Sequence, residues 1–166
     1  MINNNAFGGW ALHKDVFNWI RENIKDGSTI LELGSGTATV ELCKFYNVYS
    51  IEHDRKWLNK SNSNYIHAPI ISYNDKHGKY RWYDVRVLKE KLPKSYDLLL
   101  IDGPPGTIGR IPFLYNLELF NWSVPILVDD TSRPDELFLC NQLKTILNKE
   151  EIWNFNSDKK GTIVIK

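Results

Sequence analysis

The chain has 166 residues, 42% of them hydrophobic, and its 21 Lys and Arg against 20 Asp and Glu leave a net charge of +1. That size suits one domain with its own core, and a near-neutral balance with no basic stripe or charge block argues against nucleic acid as a partner. Cys43 and Cys140 lack metal-type spacing, residues 1–5 lack a signal peptide's basic and apolar regions, and no apolar run could span a membrane, so a cytoplasmic protein free of membranes is expected.

Leu12, Val16, Ile20 and Ile24 recur every four residues and predict an amphipathic helix over 11–25, stopped by Gly27. A strand over 28–33 then carries Ile30-Leu31-Glu32-Leu33, breaks at the glycine turn Gly34-Ser35-Gly36, and opens a helix over 37–46. Further strands are predicted at 47–52, 64–70, 95–102 and 124–129, and helices at 54–60, 82–91, 109–120 and 132–148. Between them, the polar stretch from Ser72 to Arg81 reads as a lid. Continuous apolar runs such as Leu98-Leu99-Leu100-Ile101 and Ile126-Leu127-Val128 suit parallel strands covered on both faces. Pro112 is tolerable only in the first turn of its helix, and Pro134-Asp135-Glu136 suits a helix start. The C-terminal end, Ile152-Trp153-Asn154-Phe155, a polar turn, and Thr162-Ile163-Val164-Ile165, reads as a hairpin. Alternating strands and helices closed by a hairpin predict an α/β fold: a single, doubly wound, Rossmann-like sheet of seven strands, one of them antiparallel.

In such sheets ligands bind beyond the carboxyl ends of the strands, and the polar residues of this chain fall there: Glu32, Glu52-His53-Asp54, Asp102 and Asp129-Asp130. Acids at four strand ends are undercompensated unless a ligand, a cation or a helix N-terminus meets them. The glycine loop discriminates between ligands. A dinucleotide motif G-x-G-x-x-G counted from Gly34 would put its last small residue at position 39, where Thr39 stands; the small residue here is Ala38, one step earlier. Glu32 suits an ammonium group or a helix-cap partner. Glu52, 18 residues past Gly34, suits a ribose diol or is a solvated strand end. His53 edges the same pocket or pairs with its acidic neighbours. Asp102, in the glycine- and proline-framed loop Asp102-Gly103-Pro104-Pro105, should converge with Asp129 and Asp130. Converging carboxylates need a proton or a cation between them, and an all-oxygen set with room for water favours Mg²⁺. The alternative is that Asp130 caps a helix and Asp102 acts alone as base or orienting group. Arg110 and Arg133 flank this corner as neutralising groups, anion binders or surface ion pairs. Trp82 either stacks on an adenine or packs in the core. Trp10 and His13 are expected near the open face, His13 as a candidate base; His67 and His77 carry no readable signal.

Taken together, Gly8-Gly9-Trp10, the E-x-G-x-G-x-A loop from Glu32 to Ala38, Ile51-Glu52-His53-Asp54, Trp82-Tyr83-Asp84, Ile101-Asp102-Gly103-Pro104-Pro105 and Val128-Asp129-Asp130-Thr131 resemble a class I S-adenosylmethionine (SAM)-dependent methyltransferase over nearly the whole chain. The resemblance implies that SAM is bound by Glu32, Gly34, Ser35, Gly36, Thr37, Glu52, His53 and Asp102. Within that superfamily the acids resemble those of small Mg²⁺-dependent O-methyltransferases of sugars and small molecules, which implies Asp102, Asp129 and Asp130 as metal ligands and Asp102 and Asp130 as catalytic. Ala38 stands where the last loop glycine is usual. No Lys or His closely follows Asp102, so His13, His53, a metal-bound hydroxide or Asp102 itself would serve as base. The expected acceptor is a hydroxyl of a sugar, glycan or other small molecule. The chain lacks the long insertions that often shape acceptor pockets, which leaves a homodimer, an exposed glycan end as acceptor, or a place within a larger protein as alternatives. Rival readings are a methyltransferase of protein or another nucleophile, an NAD(P)-dependent oxidoreductase, and a non-catalytic SAM-binding subunit.

Overall fold

The computed structural model describes residues 12–157 and 160–166; Gly8-Gly9-Trp10 and the hairpin-turn residues Asp158-Lys159 lie outside them. Helix α1 (Lys14–Asn23) begins at His13, whose ring Nδ1 accepts the Asp15 N–H at 3.2 Å and so meets one of the donors a helix start leaves open. It buries Val16, Phe17, Trp19 and Ile20, the face its four-residue period predicts. Strand β1 (Thr29–Leu33) leads to α2 (Thr37–Leu42) and β2 (Asn47–Glu52), followed by β3 (Asn64–His67). A separate antiparallel pair, β4 (Ile70–Asp75) and β5 (Gly78–Tyr83), precedes α3 (Val85–Lys91). Then come β6 (Leu98–Ile101), β7 (Ile126–Asp129), α4 (Pro134–Leu147), β8 (Glu151–Asn156) and β9 (Gly161–Ile165).

Seven strands form one sheet in the order β3-β2-β1-β6-β7-β9-β8, with β9 antiparallel to both of its neighbours. Successive strand residues face opposite sides, so each apolar run feeds two cores. Ile30, Val48, Leu98, Leu100 and Leu127 pack with Phe17 and Ile20 of α1. Leu31, Ile51, Leu99, Ile101 and Val128 pack on the other face with Leu88, Phe113 and Leu139. Fully burying one such side chain contributes roughly 1.5–3 kcal/mol, which explains why runs apolar on both faces form central strands. Pairing of β1 with both β2 and β6 brings Glu32 level with Ser50 and Leu100, and sets the strand tips side by side. Among the described residues no helix is long and apolar enough to cross a membrane.

Several expected helices are shorter or different. The one predicted over 54–60 is a single 3-10 turn, Arg55–Trp57, with Asp54 accepting the Lys56 N–H at 3.0 Å. The one predicted over 109–120 is a 3-10 segment, Ile111–Leu119, broken at Asn116 (φ −132°, ψ 29°). Trp82 and Tyr83 end a strand instead of opening a helix. Asp84 caps α3 by accepting the Arg86 N–H at 3.0 Å. The stretch read as a lid is the β4–β5 hairpin, with Tyr73 opposite Tyr80 and stacked on it at 5.0 Å. Both of its faces carry polar residues, which hides the two-residue period. Its anchor is the Tyr73 hydroxyl, which donates to Tyr83 O and accepts from Val85 N, each at 2.9 Å.

Candidate functional site

A cavity of about 580 Å³ opens over the carboxyl ends of β1, β2 and β6, within the ~300–1,000 Å³ usual for small-molecule sites. Its floor is the turn after β1. Gly34 takes φ +88°, a left-handed conformation, and a Cβ there would stand 3.2 Å from the Asp102 carbonyl oxygen, so both conformation and space require glycine. Gly36 is extended, and among the described residues a side chain placed on it would meet nothing within 4 Å.

The two glutamates hold this loop from below. Glu32, 4% exposed, accepts the hydroxyls of Thr39 (2.8 Å) and Ser50 through Oε1. The Thr39 hydroxyl in turn accepts the Gly36 N–H at 2.9 Å, coupling the strand end to the loop. Burial pushes the Glu32 carboxyl up to about 7, the hydroxyl donors only partly opposing it. Glu52, 2% exposed, accepts the Ser35 N–H (3.0 Å) and Ser35 hydroxyl (3.1 Å) on Oε2, and the N–H groups of His53 (2.6 Å) and Asp54 (2.7 Å) on Oε1. A carboxylate offers about four acceptor positions, so these donors fill it. A ligand hydroxyl would take the place of the Ser35 hydroxyl, the one donor free to rotate away. His53 lines the same wall, its Nδ1 2.9 Å from Glu52 Oε1.

The opposite wall is an acid cluster threaded by cations. Oxygens of Asp102, Asp129 and Asp130 lie within 4.8 Å of one another, the convergence the strand order predicts. Arg110 is buried among them. Its Nη2 donates to Asp130 Oδ2 (2.9 Å), to Asp102 Oδ1 (3.2 Å) and to the Asp102 carbonyl (2.8 Å), its Nη1 to the Asp129 carbonyl (2.9 Å), and its Nε to Pro104 O (3.2 Å). This guanidinium ties the tips of β6 and β7 together; it is no surface ion pair. Lys160 reaches in from the β8–β9 turn, with Nζ 2.9 Å from Asp129 Oδ2 and 3.9 Å from Asp130 Oδ1. Asp129 is fully buried behind the cavity wall and also accepts the Thr162 hydroxyl, its partner in the β7–β9 register. Asp102 and Asp130 line the cavity, and the Asp102 side chain is 28% exposed. Burial and the neighbouring Asp129 hold the Asp102 carboxyl well above the usual range, against the pull of Arg110 and Lys160. Arg133, half exposed at the rim, pairs with Asp130 at 3.1 Å.

Glu32, Gly34, Ser35, Gly36, Thr37, Glu52, His53, Asp102 and Asp130 are therefore brought to one cavity, and Asp129 to its back wall. His13 is placed elsewhere, capping α1 with its ring stacked on Phe155 at 4.2 Å. His77 stacks on Tyr115 at 4.1 Å, and His67 edges a shallow opening with His53 and Pro69. Trp82 is buried in the core beside Phe113. Sequence reasoning missed Thr39, Ser50, Lys160 and Tyr83 at the site. Only the pairing of Thr162 with Asp129, readable from the hairpin register, could have pointed toward Lys160.

No protein-family model matches the sequence, and no curated protein matches it. Solved structures do match. Precorrin 8w decarboxylase of Methanobacterium thermoautotrophicum aligns with a TM-score of 0.59 and 14% identity, over 100% of this chain and 96% of that one. Ribosomal protein L11 methylase of Lactobacillus delbrueckii subsp. bulgaricus aligns with a TM-score of 0.60 and 12% identity, over 96% and 80%. Magnesium protoporphyrin IX methyltransferase of Synechocystis, solved with SAM bound, aligns with a TM-score of 0.54 and 10% identity, over 91% and 76%. At such identities the likeness shows the fold alone, one that these decarboxylase and methyltransferase structures share.

Proposed function

We propose that this chain is a SAM-dependent methyltransferase that binds the donor across the tips of β1 and β2 and methylates a hydroxyl presented beside Asp102. The observation that carries this reading is the single cavity joining the Gly34 turn, two buried glutamates and the Asp102 loop on this fold. The residues fit the donor. Among the described residues nothing fills the space over Gly36, Glu52 can accept a ligand hydroxyl in place of that of Ser35, and Glu32 offers a buried carboxylate to an ammonium group. When bound, SAM would supply an electrophilic methyl group to the acceptor's oxygen. Asp102 takes the acceptor's proton, and Arg110 fixes one of its oxygens.

The same acids do not fit a resident Mg²⁺. Arg110 stands between Asp102 and Asp130 and Lys160 stands on Asp129, so one oxygen of each acid already faces a built-in cation and the charge an ion would neutralise is largely met. No step is assigned to a metal. The carboxylate of Asp102 in the cavity wall supports a hydroxyl acceptor, that of a sugar, glycan or other small molecule. The net charge of +1 disfavours RNA acceptors such as those named for some structures of this fold.

Isothermal titration with SAM and its demethylated product, S-adenosylhomocysteine (SAH), tests donor binding, and radiolabelled SAM with a panel of sugars, phenols, glycans and proteins tests the acceptor. Micromolar binding and label transfer to a hydroxyl, undiminished by EDTA, are expected. No binding of either compound, or transfer only to nitrogen, would overturn the reading.

A further inference from the structure

Tyr83 ends β5 fully buried, and its hydroxyl has no hydrogen-bond partner among the described residues. Tyr73, by contrast, has both of its hydroxyl contacts made. The Tyr83 hydroxyl comes up beneath the cavity floor, where the loops after β1 and β6 touch. A methyl group on Gly103 would stand 2.7 Å from that oxygen and 2.8 Å from Gly34 Cα. The charges of Glu52, Arg110, Asp102 and Glu32 all act on it. Burial and the Glu52 carboxylate hold the phenol protonated, so at neutral pH it presents a donor to the cavity. A buried hydroxyl that bonds to nothing costs stability, and phenylalanine would fill the same space without that cost. Trp82 beside it also has an unpartnered buried Nε1 among the described residues, but it packs on Phe113 and Phe120 away from the cavity, whereas Tyr83 lines it.

We infer that Tyr83 positions the nucleoside: its hydroxyl donates a hydrogen bond to a sugar oxygen of the bound ligand, next to the Glu52 carboxylate that accepts one of the sugar's own hydroxyls. This rests on the methyltransferase reading above and assigns a contact within the same cavity. The two groups are complementary, since Glu52 can only accept and the buried phenol donates. Together they recognise a ribose from both polarities, and a deoxygenated or flipped sugar would leave one of them unmet.

The test is Tyr83→Phe, which deletes one oxygen and keeps the ring. Calorimetric titration with SAH and with adenosine is paired with thermal unfolding of the unliganded protein. The variant should unfold at the same or a higher temperature, and should bind both compounds about tenfold more weakly, the size of one hydrogen bond. Unchanged affinity for both would overturn the inference. So would a loss confined to SAH, which would move the contact to the amino-acid end, or a lower unfolding temperature, which would give the hydroxyl a structural partner. If the unaltered protein bound neither compound, the methyltransferase reading itself would fail, an outcome distinct from the others.

Discussion

Arg110 Nη2 lies 2.9 Å from Asp130 Oδ2, and the arginine side chain is only 3% exposed. A buried cation among four carboxylates, those of Asp102, Asp129, Asp130 and Glu136, is the electrostatic keystone of the corner where β6 and β7 end. Removing one partner of a buried ion pair leaves its neighbours' charge uncompensated, at a cost of roughly 3–5 kcal/mol.

Arg110→Ala should therefore lose about that much stability in urea unfolding. It should also gain what the native chain lacks, a vacant all-oxygen corner. Millimolar Mg²⁺ should raise the unfolding temperature of the variant and leave the native protein unmoved. A Mg²⁺ shift in the native protein would restore the metal reading.

Glu32 gives a pH signature. Its carboxyl sits near 7 in the folded chain against 4.5 for the free group, so between those values the native state holds more protons than the unfolded one. Stability then falls as pH rises from about 4.5 to 7 and is flat above, the difference amounting to roughly 3 kcal/mol. Glu32→Gln keeps an acceptor for Thr39 and Ser50 and never ionises. Its unfolding free energy should exceed the parent's at pH 8 and match it near pH 4.5, as denaturant titrations at both values would reveal.

Binding should carry the opposite slope. An ammonium group on Glu32 requires the ionised carboxylate, so SAH affinity should weaken by up to about tenfold per pH unit below 7. Titration in two buffers of different ionisation enthalpy at pH 6 should report a proton released. Glu32→Gln should bind weakly at every pH; a steep residual slope in that variant would assign the proton to another group.

Asp102→Ala should abolish methyl transfer while leaving SAH affinity within about tenfold, or ~1.4 kcal/mol. On the proposed function the proton acceptor is lost, while the donor would still be held from the Glu32 and Glu52 side. A much larger fall in SAH affinity would make Asp102 a donor-binding residue instead.

Gly34→Ala tests the floor. A left-handed alanine costs roughly 1–2 kcal/mol, and its Cβ would press on the Asp102 carbonyl 3.2 Å away. Chemical unfolding should register that loss, and SAH binding should fall below detection because the loop tips separate. Normal binding would mean the loop has slack that its contacts do not suggest.

The central strands were legible in the chain because residues such as Leu98 to Ile101 are apolar on both faces, and only a covered parallel strand buries both. The strand-end acids were legible for the same topological reason, as was the closing hairpin. The β4–β5 hairpin was not. Tyr73 and Tyr80 anchor it across the strands, while charged and polar neighbours blur its period. The 3-10 segment after Arg110 was hidden likewise, because apolar content alone does not separate it from an α-helix.

Local order in the sequence thus determined the strands, the glycine turn and the set of acids at the sheet's edge, since each follows from periodicity and backbone sterics within a few residues. The tertiary structure alone decided what meets those acids. Arg110 lies eight residues past Asp102 and Lys160 lies in the far hairpin, and burial turns both from surface charges into fixed counterions. Tyr83 becomes a site residue only because β5 runs beneath the Gly34–Gly103 contact. Pairing between distant segments sets charge compensation and desolvation, and no local pattern encodes either.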